Sequence, residues 1–402
     1  VDPSGKAVTL HNDRFGNVDE ISDGSGYATK LSYDTWGLRM TAETDARGNT
    51  RRYEYDGNDR IVGILNPDGS VTRFGFDPEG RLQTIDRNGT ITSYVRNPRG
   101  RVLKRTEPLA DTVRFDYDRN NRLVNRADAL NRHTRFAYDP ASRLTKLTNR
   151  LGGTVEFVYD NEGNLLRITD ENGNATRYGY GKNHLIETIT DALDRSVHVG
   201  QDLLGRVVSF TNARGSTVSL SYNQDDEISE KKYDGRTVAS FAYDLSENLI
   251  AVRDDLGETA YGYSSRNLIE TIRYQNGSIV AFEYDENANI AAVTYPNRLC
   301  VQYTYDPMNR VSSVRWLNHT LDLFYDNAGS LIRESRSNSV ESIYTFDKDR
   351  RLAGLAHRSR ESVLADLRYE RDPAGNIIQE SGITAGPAAD PLSGVVGSSG
   401  TA

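Results

Sequence analysis

An aspartate preceded by an aromatic residue returns every 20 to 22 residues along this chain of 402. The anchors fall at Asp13, Asp34, Asp56, Asp77, Asn97, Asp118, Asp139, Asp160, Gly181, Asp202, Asn223, Asp244, Ser264, Asp285, Asp306, Asp326, Asp347 and Asp372, and only the last step is longer, at 25 residues. Fourteen of the eighteen are Asp and two are Asn, so chance does not account for the period. A unit this short cannot bury an apolar face alone. It is stabilised by stacking on its neighbours, which predicts an elongated repeat architecture rather than two or three globular domains.

The residue before the anchor is aromatic in fourteen repeats, and the residue three before it is apolar or aromatic in all eighteen, as in Tyr53, Phe74, Phe115, Phe157 and Tyr303. Positions two apart share one face of a strand, and the residue between them is often polar, as Glu54 and Thr304 are. This is a period-two strand with one aromatic stripe. Tyr occurs 23 times against 11 Phe, as suits a sheet whose faces are partly wet.

A turn follows each anchor. The third residue on is Gly in eight repeats, and elsewhere often Asn or Asp, the types that tolerate a left-handed backbone. Pro follows the anchor at 78, 98, 140, 307 and 373, where its fixed φ suits the second turn position. A second strand begins at an aliphatic residue five after the anchor in seventeen repeats, Arg39 being the exception. It ends in a second turn, written Asp68-Gly69, Asn88-Gly89, Asn172-Gly173, Asp234-Gly235 and Asn276-Gly277. Such dipeptides predict type I′ hairpins, with positive φ at both residues. A flattened parallel solenoid also has two turns per repeat, but hairpin-closing dipeptides favour an antiparallel meander.

The fold class expected is therefore all-β: a tandem-repeat antiparallel β-ribbon curling into a spiral, hollow shell. About 36 strands at ~4.8 Å each span ~170 Å, and a strip that closed once would form a ring roughly 50 Å across. Side chains cannot fill that width. Arg occurs four after the anchor in eight repeats (60, 81, 101, 122, 143, 206, 310 and 351), where it can interleave with the Asp row and neutralise the ribbon edge. The structural anchors singled out are Tyr55, Asp56, Phe76, Asp77, Gly80, Arg81, Tyr117, Asp118, Tyr138, Asp139, Tyr159, Asp160, Gly163, Tyr243, Asp244, Tyr284, Asp285, Tyr305, Asp306, Tyr325, Asp326 and Gly329.

Little else in the chain points to chemistry. A net charge of −8 works against general binding of phosphate backbones, so no nucleic-acid partner is expected. Cys300 is the single cysteine, and no apolar run has the length of a membrane span. The six histidines never adopt a metal-ligand spacing, and His184 stands where other repeats have Gly. Gly24-Ser25-Gly26 lacks the third Gly of a dinucleotide fingerprint. The acidic turn Asp170-Glu171-Asn172-Gly173-Asn174 lacks calcium-loop spacing, and the glycosylation sequons at Asn88, Asn174, Asn276 and Asn318 all coincide with turns. Trp36 and Trp316 are assigned to wall packing. No cofactor, metal or enzymatic activity is expected.

The segments Asn49-Thr50-Arg51-Arg52-Tyr53-Glu54-Tyr55-Asp56, Phe76-Asp77-Pro78-Glu79-Gly80-Arg81-Leu82 and Asn174-Ala175-Thr176-Arg177-Tyr178-Gly179-Tyr180 resemble the YD repeats of bacterial Rhs proteins. Similar repeats occur in the C components of insecticidal toxin complexes and in teneurins. The resemblance covers roughly residues 2–380 and implies a spiral β-shell. In bacterial members it implies enclosure of a covalently attached C-terminal toxin; in teneurins, an extracellular adhesion receptor. It also implies an Asp-Pro self-cleavage motif, for which Asp390 is the candidate, although the surroundings of the family's motif are absent here.

The expected organisation is a repeat shell over 1–380 and a Gly/Ser/Ala/Pro-rich linker or tail over 381–402. Val1 is not an initiator Met and residues 1–12 read as half a repeat, as expected of part of a longer polypeptide. The expected function is a structural shell segment that encapsulates or presents an attached C-terminal toxin, in a secreted or cell-surface bacterial protein. The alternative is an adhesion or carbohydrate-binding module of a teneurin-like cell-surface protein. Secretion-system proteins and cell-surface glycans are the further partners considered.

Overall fold

A computed structural model describes residues 8–23, 25–109, 111–360 and 362–384. Asp390 and most of the tail lie outside the described residues. Thirty-six strands run from β1 (Thr9–Asn12) to β36 (Ile377–Thr384), two per repeat, and no helix occurs among the described residues. Among the described residues, therefore, no helix is long and apolar enough to cross a membrane. Each strand pairs antiparallel with the next in sequence, which makes one continuous meander. The parallel solenoid is excluded.

Two turn geometries build the ribbon. At the anchor, the Asp56 N–H donates to the Arg60 carbonyl at 3.0 Å and the Asp59 N–H donates back to the Asp56 carbonyl at 3.2 Å. The residue three after the anchor has positive φ in all eighteen repeats: eight Gly, and ten others including Asp59 (63°), His184 (61°) and Ala288 (65°). Pairing slips by one residue at every anchor hairpin, as between β5 (Thr50–Tyr55) and β6 (Ile61–Leu65), where Glu54 faces Gly63 but Tyr55 faces Ile61. This bulge recurs in every repeat and adds twist each time, and accumulated twist is what curls the ribbon.

The left-handed position yields a graded prediction. A Cβ on Gly80 would stand 2.9 Å from Arg60 Nη1, whereas on Gly163 it would stand 3.8 Å from Arg143 Nη1. Gly80→Val is expected to cost roughly 2 kcal/mol or more and Gly163→Val less, while Glu79→Ala stays within about 0.5 kcal/mol. Denaturant midpoints of the three variants check this order; equal losses at Gly80 and Glu79 would contradict the turn assignment.

The second turns correct the sequence reading. Only Asn88-Gly89 (φ 51° and 86°) and Asp234-Gly235 (46° and 81°) are two-residue hairpins with both residues left-handed. At Asp68-Gly69, Asn172-Gly173 and Asn276-Gly277 only the Gly has positive φ. There an earlier residue opens a type I turn, and the Gly N–H donates to the carbonyl of Asn66, Asp170 or Tyr274, so both ribbon edges use the same turn chemistry. Two further expectations change. Trp36 does not pack in the wall but sits at a turn tip, 75% exposed. Residues 381–384 continue β36, pairing Ser381 with Arg368 and Thr384 with Ala365, because β35 (Val363–Arg371) is long enough to template them.

The ribbon also winds more tightly than a single closed ring. Ser25 Oγ meets Ser265 Oγ at 2.8 Å, Asp68 meets Arg310 at 3.2 Å, and the Leu109 N–H donates to Asp349 at 2.9 Å. Each pair is about 240 residues apart in sequence. Twenty-three strands separate the touching turns: β3 (Ala28–Tyr33) to β25 (Gly257–Tyr263) in the first case, β11 (Thr112–Tyr117) to β33 (Glu341–Phe346) in the last. An odd number carries the chain from one ribbon edge to the other, so the second-turn edge of the first coil lies under the anchor edge of the next. At ~4.8 Å per strand, 23 strands make a coil roughly 35 Å across rather than 50 Å. The 36 strands form about one and a half coils of a hollow spiral, one layer thick.

Candidate functional site

The chemistry of this wall lies along its two edges. At the anchor edge one carboxylate oxygen closes the turn: Asp56 Oδ1 accepts the N–H groups of Asn58 (2.9 Å) and Arg60 (3.1 Å). Its other oxygen accepts Arg60 Nε at 2.7 Å. The clamp recurs from Asp77 to Arg81, Asp118 to Arg122, Asp139 to Arg143, Asp202 to Arg206, Asp306 to Arg310 and Asp347 to Arg351, at 2.6–2.7 Å. Arg101 is the exception among the eight arginines, because its anchor is Asn97, an amide. Where position four is Asn, its amide takes over, as Asn164 does for Asp160 (2.7 Å) and Asn289 for Asp285 (3.0 Å). Asp244 is held by Asn248, and Asp326 accepts the Ser330 N–H at 2.8 Å.

The guanidinium then reaches into the following repeat. Arg143 lies 4.9 Å from the Tyr159 ring centre and donates to the Asp160 carbonyl at 2.7 Å; Arg122 does the same at Tyr138 and Asp139. Arg60 covers Phe76 at 4.5 Å and Arg310 covers Tyr325 at 4.6 Å. Aspartate, arginine and the next aromatic thus alternate along the edge. These contacts set the carboxylates' acidity: the Arg143 N–H and guanidinium hold Asp139 below its ordinary value against desolvation, and the Asn164 amide does so for Asp160.

The aromatic before the anchor closes the bulge. All twelve tyrosines at this position donate their hydroxyl to the carbonyl opening the preceding repeat's second strand. Tyr55 reaches Met40, Tyr117 Val102, Tyr138 Leu123, Tyr159 Leu144, Tyr243 Ile228, Tyr284 Ile269, Tyr305 Ile290 and Tyr325 Val311, at 2.7–3.1 Å. Gln201 and Arg96 supply the donor where Tyr is missing. Tyr159→Phe leaves the Leu144 carbonyl without that donor and is expected to cost about 1 kcal/mol. Amide exchange should quicken around residues 144–165 and nowhere distant; a global or absent effect would contradict the neighbour-coupled wall.

Sequence reasoning missed two rows. Seven residues on the opposite edge (Asp23, Asp45, Asp128, Asn149, Asp170, Asp191 and Asn212) accept the N–H groups two and four residues on, as the anchors do. Their signal was Asp or Asn ten or eleven after the anchor, diluted by Glu107, Tyr274 and Tyr295 at equivalent turns. An aliphatic residue eight after the anchor faces the aromatic three before it, as in Tyr53–Ile64, Phe157–Ile168 and Phe282–Val293. One face of the ribbon is therefore apolar, yet almost none of it is fully buried.

Where the coils touch, the two edges exchange charge. Arg266 reaches Asp23 at 2.6 Å, Arg351 reaches Asp111 at 3.0 Å, and Arg47 donates to the Tyr305 carbonyl at 2.8 Å. Burial in this seam raises Asp349, and a hydrogen bond shared with Asp111 adds to the shift despite Arg351 nearby. Among the described residues, no three His, Cys, Asp or Glu are placed to hold a metal.

The teneurin YD-shell family model matches residues 171–300, and the RHS repeat model matches residues 33–71, 55–91 and 117–154. A double-stranded DNA deaminase toxin A of Burkholderia cenocepacia is 29% identical over 123 residues, 30% of this chain and 8% of that protein. A probable deoxyribonuclease, RhsB of Dickeya dadantii, is 35% identical over 94 residues, 23% of this chain and 6% of its own. The toxin subunit YenC2 of Yersinia entomophaga is 40% identical over 63 residues, 14% of this chain and 6% of its own. The chain thus spans less than a tenth of each of these three relatives. A Photorhabdus luminescens Tc holotoxin pore with a mutant TccC3 shares the fold at 13% identity and a TM-score of 0.53, over 94% of this chain and 30% of that one.

Proposed function

The chain is an Rhs/YD-repeat protein with the β-shell architecture, and on that premise we propose that it is a wall segment enclosing a polypeptide attached C-terminal to it in a secreted bacterial toxin. One observation carries the reading: the ribbon coils in a single layer, and its aromatic–aliphatic face has no second layer packed on it among the described residues. A one-layer sheet with a continuous apolar face is stable in water only if that face is curved inward or covered. The aromatic face is the more crowded of the two: Tyr138 and Phe136 are half-buried, while even the small Ala137 between them is exposed. Side chains converge on the concave side of a curved sheet, so this face lines the hollow. The DNA-directed activities in the relatives' names belong, on this reading, to parts of those proteins outside the aligned stretch.

An adhesion module that bound glycans through its tyrosines would need their rows exposed and their hydroxyls available. Hydroxyls donated to the wall's own carbonyls do not favour it.

The test is protease protection in the complete natural polypeptide. The segment following the wall should resist protease while the wall is intact, and lose that resistance when Tyr138, Tyr159 and Tyr180 are together changed to Ser. Cleavage of that segment at the rate of the free segment, with the wall folded, would overturn containment.

A further inference from the structure

The face of the ribbon opposite the aromatic stripe is not uniform. From β10 (Val102–Thr106) to β17 (Ala175–Tyr180) it carries Lys104, Arg114, Arg135, Lys146, Arg167 and Arg177, against two carboxylates, Asp116 and Glu156. The whole chain has a net charge of −8, so the sign is reversed locally. The four arginines are exposed. Lys146 is held by Glu156 at 3.0 Å, Arg177 reaches Asp194 at 2.9 Å, and Asp116 accepts the Asn125 amide at 2.7 Å. Among the described residues, the side chains of Lys104, Arg114, Arg135 and Arg167 have no ion pair or hydrogen bond.

The repeat does not require these cations. Arg114, Arg135 and Arg177 stand four before the anchor, where later repeats have Ser219, Ser240, Ala260 and Ala281. Lys104, Lys146 and Arg167 stand seven after it, where Thr188, Ser209, Ala251 and Thr271 occur. They also oppose one another: Lys104 faces Arg114 across β10 and β11, and Arg167 faces Arg177 across β16 (Leu165–Thr169) and β17. Like charges directly opposite destabilise a sheet, and nothing in the wall's own packing offsets that cost.

Shape narrows the partner. At ~4.8 Å per strand the stripe is ~34 Å long and, in a coil of 23 strands, wraps about a third of the circumference on the convex side. A flat bilayer touches so curved a face over only part of that arc, and duplex DNA is stiff over far longer distances. Single-stranded nucleic acid is held by stacking on aromatics, whereas Ala137, Val158 and Gly179 lie beside these cations. Peptides take a free sheet edge or apolar pockets, and mid-sheet strands paired on both sides offer neither. Thr106, Thr148 and Thr169 share the face and offer hydroxyls between the charges. We propose that this stripe binds a flexible acidic polysaccharide, its carboxylates seated on the guanidinium groups and its hydroxyls on the threonines. The tyrosines take no part. No enclosed cargo is needed, so the proposal does not rest on containment.

The experiment titrates the whole 402-residue chain into fluorescently labelled polygalacturonate at low ionic strength, with neutral dextran, duplex DNA, polyglutamate and phosphatidylglycerol vesicles as comparisons. Polygalacturonate should bind, lose affinity as salt rises, and bind more tightly than the other four. Arg114→Glu with Arg167→Glu should weaken it at least ~10-fold. Arg273→Glu with Arg315→Glu, the same charge change at exposed arginines on this face outside the stripe, should leave it unchanged. Far-UV circular dichroism verifies that each variant keeps the wall. Should the first pair fail to fold, Arg114→Ser with Arg167→Thr replaces it: these positions carry such residues in other repeats, so binding should weaken while stability holds or rises. No binding of polygalacturonate, tighter binding of any comparison, or equal effects of the stripe pair and the distant pair would each overturn the proposal.

Discussion

Asp45→Ala is expected to destabilise the chain by about 3 kcal/mol, while Asp170→Ala, at an equivalent turn, is expected to cost clearly less. Both carboxylates close the same loop. Asp45 accepts the N–H groups of Arg47 and Asn49 and the Asn49 amide, at 2.8–3.1 Å; Asp170 accepts those of Asn172 and Asn174 and the Asn174 amide, at 2.8–2.9 Å. The difference is the seam. Asp45 also accepts Asn287 Nδ2 from the next coil at 2.6 Å, and Arg47 beside it reaches Asp285 at 3.6 Å. Burial disfavours the Asp45 charge, but the Asn49 and Asn287 hydrogen bonds outweigh it and hold the carboxyl below its ordinary value. Removing it leaves those donors short of an acceptor in a half-buried joint, where the penalty exceeds that of a solvated turn. Denaturant titration of the two variants reads the contrast directly. Equal losses would mean that the coil contact contributes nothing.

Acid should unfold the wall steeply below about pH 4. Thirteen aspartates are held below their ordinary value by turn N–H groups and by their Arg or Asn partners. A carboxyl depressed in the folded state contributes stability that is present above its unfolded value, about 3.9, and lost as pH falls through the folded one. Because all thirteen shift the same way, each adds to proton uptake on unfolding, and the transition is sharper than a single carboxylate would give. Asp349 acts in the opposite sense: its raised value contributes stability at low pH that is lost as pH rises through it. One group against thirteen does not reverse the trend. Circular dichroism followed from pH 7 to pH 2 provides the check, and a β-signal unchanged at pH 2 would show that the turn carboxylates do not hold the wall.

The repeat, its turn and its aromatic stripe were legible in the sequence because each is local. Asp, a left-handed residue three on and an aliphatic residue five on lie within one hairpin, and selection on a hairpin leaves a fixed spacing. The rest was less legible for different reasons. The second anchor row was obscured because Glu107, Tyr274 and Tyr295 stand where Asp or Asn would have displayed it, and at the last two the backbone hydrogen bonds are joined by Asn276 and Asn297, which accept turn N–H groups from within the loop. The Asn-Gly and Asp-Gly pairs suggested two-residue hairpins, yet at three of them the turn opens two residues before the pair, as at Asn66 for Asp68-Gly69. The coil pitch has no local signature at all. It follows from twist summed over 23 strands and from contacts such as Asp68–Arg310, whose partners are unremarkable in their own repeats. Arg351 shows the limit well: its clamp on Asp347 was foreseeable from spacing, whereas its bridge to Asp111 was not.

The central claim is a hollow spiral with a pitch of 23 strands, and the Ser25–Ser265 contact tests it most directly. Their Oγ atoms lie 2.8 Å apart across the seam, which brings cysteine sulfurs at both positions within bonding reach of each other. With Cys300 replaced by Ser, the Ser25→Cys, Ser265→Cys chain should oxidise within one molecule and migrate faster on a non-reducing gel. A displaced pair, Ser25→Cys with Asn287→Cys, lies one repeat further along, about 10 Å from register, and should not bridge. Failure of the first pair to cross-link, or equal cross-linking of both, would contradict the spiral.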